Sequence, residues 1–156
     1  MATEIERKFL VSGDTWRPGA SGCRYVQGYL SREPERIVRV RQAGSSAFLT
    51  IKGLAQGTTR LEFEYPIPFS DAEQLMKLCL RSLIDKTRYT IEYHGKHWEV
   101  DEFHGENDGL VLAEIELSRE EEPIDLPPWI GKEVSRDPRY FNAYLSEHPF
   151  AQWEKK

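Results

Sequence analysis

Apolar and polar residues alternate with a period of two along most of the chain. Short alternating segments bounded by Gly, Ser, Asn or Pro are typical of antiparallel strands. The pattern predicts eight strands: Thr3–Val11, Arg24–Ser31, Arg36–Gln42, Ala47–Gly53, Arg60–Ile67, Leu83–Tyr93, His97–His104 and Leu110–Ser118. Turn residues between them, such as those around Gly44 and Gly109, favour hairpins between strands that follow each other in sequence.

Two segments depart from this alternation and have helical spacing. Residues 70–73 read Ser-Asp-Ala-Glu, the spacing of a capping box, and apolar residues follow on one face, which predicts a helix from about Asp71 to Arg81. Asp137 and Pro138 predict the start of a second helix, because proline suits the first helical position. The proline-broken segment Pro123–Trp129 is predicted to be irregular.

Charged residues occupy one face of six predicted strands, because alternate side chains on a strand share a face. The acids are Glu4, Glu6, Glu62, Glu64, Glu114 and Glu116, and the bases are Lys8, Arg39, Arg41, Lys52, Lys86 and Arg88. One interpretation is the solvated side of an open sheet, which a single Glu-x-Glu pair would favour. Adjacent like charges repel unless an opposite charge lies between them. The same-sign pairs therefore favour charged faces that meet.

A closed barrel with these faces inward would collect six acids and six bases. Unpaired buried ions cost several kcal/mol each, so such an interior must be solvated or must hold a charged ligand. Carboxylates suit a hard divalent cation, Mg²⁺ or Mn²⁺, whereas Arg and Lys suit phosphate oxygens. A phosphate-rich anion that carries a divalent metal would satisfy both groups.

The segment Glu4-Ile5-Glu6-Arg7-Lys8 resembles the amino-terminal motif Glu-x-Glu-x-Lys of the CYTH family, also called triphosphate tunnel metalloenzymes. The resemblance continues in order through Val38–Arg41, Thr50–Lys52, Glu62–Glu64, Lys86–Tyr89, Trp98–Asp101 and Ala113–Leu117. It implies an α+β, mainly β fold: an eight-stranded antiparallel closed barrel, the triphosphate tunnel, with flanking helices. The whole chain, residues 1–156, is expected to form one such domain.

The resemblance also implies a metal-dependent triphosphatase that hydrolyses the terminal phosphoanhydride of inorganic triphosphate or short polyphosphate with Mg²⁺ or Mn²⁺. The metal ligands would be Glu4, Glu6, Glu114 and Glu116. The phosphates would be held by Lys8, Arg39, Arg41, Lys52, Lys86 and Arg88. Glu62 or Glu64 would orient the attacking water or assist a second metal, and Lys8 and Lys86 would stabilise charge as the terminal group departs.

Other functions are compatible with the same residues. An enzyme directed at nucleotides or thiamine triphosphate, or a class IV-like adenylyl cyclase, would need a pocket for an organic group. A polyphosphate-binding module without turnover is less favoured, because anion binding gains nothing from six acids. Glu99 and Asp101 share a face whose direction the pattern leaves open, so Asp101 could join the metal cluster or lie behind it.

The composition argues against some classes of binding partner. The net charge of −5 over 156 residues argues against a stable nucleic-acid complex. A membrane helix needs roughly 20 apolar residues, which no segment approaches, so we expect a cytoplasmic protein without a membrane partner. Cys23 and Cys79 are too far apart in an acidic chain to suggest a disulfide scaffold. Members of the CYTH family often pair, so the resemblance allows a homodimer.

Overall fold

The computed structural model describes residues 2–153 and, within them, nine strands and two α-helices. The strands are β1 (Thr3–Val11), β2 (Ser21–Ser31), β3 (Ile37–Ala43), β4 (Ser46–Lys52), β5 (Thr59–Pro66), β6 (Leu80–Tyr93), β7 (Lys96–Phe103), β8 (Val111–Glu116) and β9 (Ile130–Glu133). The helices are α1 (Phe69–Met76) and α2 (Asn142–Glu147). Short 3₁₀ turns at Gly105–Asn107, Pro138–Tyr140 and Phe150–Gln152 complete the elements.

The strands close into an eight-stranded antiparallel barrel, as predicted. Their order is β5-β4-β3-β2-β6-β7-β8-β1, and a further pairing of β1 with β5 completes the ring. The closing strand β1 pairs with β5 from Thr3 to Ile5 and with β8 from Glu6 to Leu10. Strand β9 pairs with β1 at Phe9 and Val11 and is not part of the ring. A closed ring forces every strand to present one face inward.

The outward faces are covered by apolar layers. The outer cluster comprises Phe9, Trp16, Trp98, Val100, Ala113, Ile115, Leu117 and Trp129. Phe9 and Trp98 pack with ring centroids 5.6 Å apart, and burial of each such side chain stabilises the fold by about 1.5–3 kcal/mol. On another side of the barrel, α1 packs Ala72 against Val40 and Ala47. The wall is therefore held from outside, which leaves the inner face free for polar residues.

One end of the barrel interior is closed by a second apolar group. The floor cluster comprises Tyr29, Ile37, Ile84, Phe103, Leu110, Leu112, Val134 and Leu145. Ile84, Phe103 and Leu112 lie where β6 begins, β7 ends and β8 begins, which is the same end of an antiparallel barrel. Helix α2 packs onto this end through Leu145. The carboxyl-terminal segment thus forms part of the floor.

The first helix differs from its prediction at both ends. Helix α1 replaces the predicted Asp71–Arg81 segment, and its N-cap is Pro68 without a side-chain capping bond. The capping box is wrong because Ser70 already lies inside the first turn. The helix stops early because residues from Leu80 onward pair with β2, which extends β6 beyond the predicted start.

The end of the chain also differs from its prediction. Asp137 accepts the backbone N–H of Arg139, as predicted for an N-cap, but it caps only a 3₁₀ turn at Pro138–Tyr140. The α-helix starts later, at Asn142. Strand β9 was not predicted, since a four-residue strand next to the irregular segment Pro123–Trp129 is too short to establish alternation.

Cys23 and Cys79 are both free thiols. Neither helix within residues 2–153 is long and apolar enough to span a bilayer. The cytoplasmic location and the single-domain organisation stay predictions.

Candidate active site

The inward faces of the strands enclose a cavity of about 730 Å³. It is lined by all the charged residues that the alternation placed on one face: Glu4, Glu6, Lys8, Arg39, Arg41, Lys52, Glu62, Glu64, Lys86, Arg88, Glu114 and Glu116. The charged faces therefore meet around one enclosed space and are not spread over the outside of an open sheet. Their individual roles stay predictions.

Two cations of β6 converge on a single carboxylate of β7. Arg88 donates to Asp101 from Nε at 2.8 Å and from Nη2 at 2.9 Å, and Lys86 Nζ donates to Asp101 at 2.7 Å. Burial alone would raise the pKa of Asp101, but Arg88 and Lys86 outweigh burial and lower it. Asp101 is fully buried. It lies behind the two cations and fixes their direction.

Arg88 has further carboxylates around it. Its Nη1 lies 3.3 Å from Glu99, and its Nη2 lies 3.4 Å from Glu114. Burial tends to lower the pKa of Arg88, but Asp101, Glu114 and Glu99 together raise it well above the usual value. Arg88 is therefore a buried cation whose charge is fully compensated by the wall.

Lys86 is compensated less completely. Its side chain is 1% exposed, and besides Asp101 its ammonium donates to Asn142 Oδ1 at 2.9 Å. Burial lowers the pKa of Lys86 to about 7, although the carboxylate of Asp101 opposes the shift. The charge of this lysine is therefore sensitive to any anion that enters the cavity.

Arg41, on β3, is surrounded quite differently. Its Nε donates to Gln27 Oε1 at 2.8 Å, and its guanidinium lies 4.8 Å from the centroid of the Tyr25 ring. Within residues 2–153, no carboxylate makes an ion pair with it. Burial, together with the neighbouring charges of Arg39 and Arg88, lowers the pKa of Arg41 to about 10. A buried guanidinium of this kind is a site that lacks its anion.

Arg39 lies beside Arg41 and is only partly satisfied. Its Nη2 donates to Thr50 Oγ1 at 3.1 Å and to Glu64 Oε2 at 3.3 Å. Its Nε is buried and has no acceptor within the described chain. Thr50 also donates to Glu64 at 3.0 Å, so this carboxylate is held in place from two sides.

The opposite wall carries the acids of β1 and β8. Glu6 and Glu116 are register partners, as are Lys8 and Glu114. Burial, reinforced by Glu114 and Glu4, raises the pKa of Glu6 well above the usual value. Burial would also raise the pKa of Glu114, but Lys8, a hydrogen bond with Glu6 and the charge of Arg88 lower it well below the usual value. The pKa values of these two neighbouring carboxyls therefore move in opposite directions.

Two further acids of the cavity, Glu4 and Glu62, contact the same lysine. Lys52 Nζ lies 3.2 Å from Glu4 Oε1 and 3.3 Å from Glu62 Oε2, so it links β1 with β5. Across the described residues, no three carboxylate, thiol or imidazole groups already surround a common point as metal ligands. The donor set nevertheless suits a hard cation, because Mg²⁺ and Mn²⁺ prefer oxygen ligands and a bound cation would offset the repulsion between neighbouring carboxylates.

Residues that the sequence analysis did not select also line the cavity. They are Tyr25, Tyr29, Arg32, Pro34, Ile37, Phe48, Leu54, Ala55, Arg60, Glu99, Pro138, Phe141, Asn142, Ala143, Tyr144 and Glu147. Arg60 has the same alternation as Glu62 and Glu64, and that signal was available in the sequence. Glu99 shares with Asp101 a face whose direction the pattern left open, and the structure settles that direction, since Glu99 lines the cavity. Asn142 follows the last barrel strand by many residues, and no periodicity indicates that it reaches Lys86.

The family assignment rests on the match over most of the chain. Residues 2–143 match the model of the CYTH domain. The chain belongs to the CYTH family. Its barrel, its inward-facing charges and the order of its paired motifs agree with this membership.

Curated CYTH relatives cover nearly the whole chain. The inorganic triphosphatase of Acetivibrio thermocellus is 46% identical over 156 residues, which are 99% of this chain and 100% of the relative. The inorganic triphosphatase of Nitrosomonas europaea is 37% identical over 149 residues, 92% of this chain and 97% of the relative. A crystal structure of an inorganic triphosphatase, 34% identical, aligns with a TM-score of 0.67 over 91% of this chain and 96% of that chain.

Proposed function

We propose that this CYTH chain is a divalent-metal-dependent triphosphatase that hydrolyses the terminal phosphoanhydride of inorganic triphosphate or short polyphosphate. The observation that carries the proposal is Arg41, a buried guanidinium that lies between other cations and makes no ion pair with a described carboxylate. An anion rich in phosphate would supply the missing negative charge. The inorganic triphosphatases to which the chain is similar support the same substrate class.

The substrate would lie along the cationic part of the cavity. Arg39 and Arg41 are both buried and adjacent, so together they present a fork of donors to phosphate oxygens. Lys8 is also buried, and its ammonium donates to the carbonyl of Tyr140 at 3.1 Å, which leaves two of its donors for the anion. The other proposed phosphate ligands are Lys52, Lys86 and Arg88.

The acids of β1 and β8 would hold Mg²⁺ or Mn²⁺. Glu4, Glu6, Glu114 and Glu116 line one wall, and burial with the charges of Glu114 and Glu4 raises the pKa of Glu6, so a positive partner would favour the ionised carboxylates. When bound, such an ion polarises phosphate oxygens and neutralises part of the substrate charge. Burial and the charge of Glu4 also raise the pKa of Glu116, as expected for an acid that lacks a cation.

The chemical step would be attack of water on the terminal phosphorus. The oxygen of water forms the new bond, the bridging P–O bond breaks, and its electron pair leaves with the diphosphate. Glu62 or Glu64 would orient the water and accept its proton. Glu64 is held by Thr50 and Arg39, whereas Glu62 contacts Lys52. Lys8 and Lys86 would stabilise the charge that develops on the departing group.

Phosphate release tests the proposal directly. Purified protein would be given triphosphate, ATP or thiamine triphosphate with Mg²⁺, with Mn²⁺ or with EDTA. We expect metal-dependent release that is fastest from triphosphate and is abolished by EDTA. Faster release from ATP or thiamine triphosphate, formation of cyclic AMP, or binding without release would each replace the proposal by the corresponding alternative.

A matched pair of glutamate variants tests the acidic wall. Glu6→Gln removes one proposed metal ligand, so we expect it to abolish phosphate release with an unchanged circular dichroism spectrum. Glu121→Gln is the control, because Glu121 lies on the outer surface with a side chain 75% exposed. Full activity in Glu6→Gln would contradict the proposed metal site.

A further inference from the structure

Two arginines outside the six predicted phosphate ligands line the same cavity. Arg32 follows β2, and Arg60 lies at the start of β5. Strands β2 to β5 follow one another as antiparallel neighbours, so the end of β2, the end of β4 and the start of β5 lie at one end of the barrel. This is the end that the floor cluster and α2 partly cover, and the cavity is lined there by Arg32, Pro34, Leu54, Ala55, Arg60 and Tyr144.

Arg32 is held in place but incompletely satisfied. Its Nε donates to Ser146 Oγ at 2.9 Å, and its Nη1 lies 4.0 Å from Glu147, at the limit of an ion pair. Its Nη2 is buried and finds no acceptor within residues 2–153, and the side chain is only 16% exposed. An unsatisfied donor on a charged group is costly, so a bound acceptor is favoured there.

Arg60, on β5, is a second arginine with an unsatisfied donor. It is the register partner of Glu4, and its guanidinium lies 5.9 Å from the centroid of the Phe141 ring. Its Nε is also buried without an acceptor in the described part of the chain. Arg32 and Arg60 therefore extend the cationic lining beyond the residues that a triphosphate was proposed to engage.

The cavity has room for an occupant larger than a triphosphate. A volume of about 730 Å³ is in the range of about 300–1,000 Å³ that accommodates drug-sized ligands, which are much larger than triphosphate. The additional space could hold a neutral organic group or more phosphate. The unsatisfied donors of Arg32 and Arg60 favour an anion, because an anion both accepts their hydrogen bonds and offsets their charges, whereas a neutral acceptor offsets no charge.

We propose that Arg32 and Arg60 form a second anion subsite that binds the distal phosphates of inorganic polyphosphates longer than triphosphate. The inference deepens the proposed function and rests on it for the position of the first three phosphates. The subsite makes the enzyme selective for chain length. A triphosphate whose three phosphates are held by the six predicted phosphate ligands has no further phosphate for this subsite, so the two arginines should affect longer chains selectively.

The test compares triphosphate with linear tetraphosphate and with ATP. Kd would be measured by calorimetry on the metal-free full chain in EDTA, where no turnover occurs, and kcat/KM would be measured with Mg²⁺. We expect Arg32→Gln and Arg60→Gln each to weaken tetraphosphate binding about 10-fold, the loss of one charge-assisted contact, and to change triphosphate binding less than about twofold. Arg32→Lys should restore part of the loss.

The control is Arg36→Gln, which removes an exposed arginine whose ion-pair partner is Glu33 on the same loop. Equal losses for both phosphates, no loss for tetraphosphate, or a loss confined to ATP would each overturn the inference. If the wild-type protein releases no phosphate from any compound, the proposed function fails. The ratio of the calorimetric Kd values for tetraphosphate and triphosphate would still show whether the subsite exists, because that measurement needs no turnover.

Discussion

Arg88 and Arg41 are both buried guanidiniums of the same cavity, yet their surroundings are opposite. Arg88 lies on β6 against Asp101, Glu99 and Glu114, and these carboxylates raise its pKa despite burial. Arg41 lies on β3 against an amide and an aromatic ring, and burial with neighbouring cations lowers its pKa to about 10. The protein therefore neutralises the charge of Arg88 with its own carboxylates and leaves the charge of Arg41 without a carboxylate partner among the described residues.

This difference separates stability from function. A compensated ion pair such as Arg88 with Asp101 supports the wall, and its removal leaves a buried carboxylate with fewer partners. An uncompensated cation such as Arg41 costs the free protein desolvation energy and is satisfied only when an anion binds. Arg41 and Arg88 should therefore respond differently to mutation.

The largest expected effect is on catalysis. Arg41→Ala removes the cation with the least compensation, so we expect kcat/KM for triphosphate to fall by about 10³-fold, the scale of an arginine that stabilises phosphoryl transfer. The circular dichroism spectrum should not change. Arg24→Ala is the control, because Arg24 lies on the neighbouring strand with an exposed side chain paired to Asp85. Retained activity in Arg41→Ala would remove the basis for the anion site.

The second prediction concerns folding stability. Arg88→Met leaves Asp101 with Lys86 as its main partner, so we expect a loss of about 3 kcal/mol in the free energy of unfolding. That loss corresponds to a decrease in Tm of roughly 6–12 °C. Arg41→Met should leave Tm unchanged or raise it, because it removes an unpaired buried charge. A larger decrease in Tm for Arg41→Met than for Arg88→Met would contradict the view that Arg88 is the compensated cation and Arg41 the uncompensated one.

Much of the cavity could be predicted from alternation alone. The period of two decides which face a residue lies on, so Glu4, Glu6 and Lys8 had to share a face once β1 was recognised. Ring closure then decided that this face was inside. The same rule applied to Arg60 would have placed it beside Glu62, but a single basic residue at a strand end did not form a same-sign pair.

The ion pairs and hydrogen bonds between different elements could not be predicted in the same way. Asp101 serves Arg88 and Lys86 because β6 and β7 are neighbours in a register that only tertiary packing determines. Asn142 reaches Lys86 from α2, and no local pattern relates the two. The predicted helix Asp71–Arg81 failed for a related reason, since pairing of Leu80 with β2 overrides the helical spacing of the preceding residues.

The third prediction concerns pH and Lys86. Burial lowers its pKa to about 7, so its cation is present below that pH and is lost as the pH rises through it. We expect KM for triphosphate to increase above pH 7 by up to about tenfold per pH unit. Asp101 raises the pKa of Lys86, so Asp101→Asn should move the increase to lower pH.

Lys86→Arg is the control for this profile, because a guanidinium keeps its charge over the same range. Titration of the substrate and of the metal affects both proteins equally. The difference between their profiles therefore reports Lys86 alone. Identical pH profiles for wild type and Lys86→Arg would show that another group controls the dependence.

The smallest effect is expected at Arg7, which lies between Glu6 and Lys8 in sequence but faces out of the barrel. Its guanidinium donates to Glu133 from Nε at 3.0 Å and from Nη2 at 2.7 Å, and it covers the Phe9 ring at 5.2 Å. Partly exposed pairs of this kind contribute up to about 1 kcal/mol. Arg7→Gln should therefore change Tm by only a few degrees and leave kcat/KM for triphosphate unchanged. Glu6→Gln, at the neighbouring position, is expected to abolish activity. Loss of activity in both variants would contradict the alternation of inward and outward side chains from which the cavity lining was predicted.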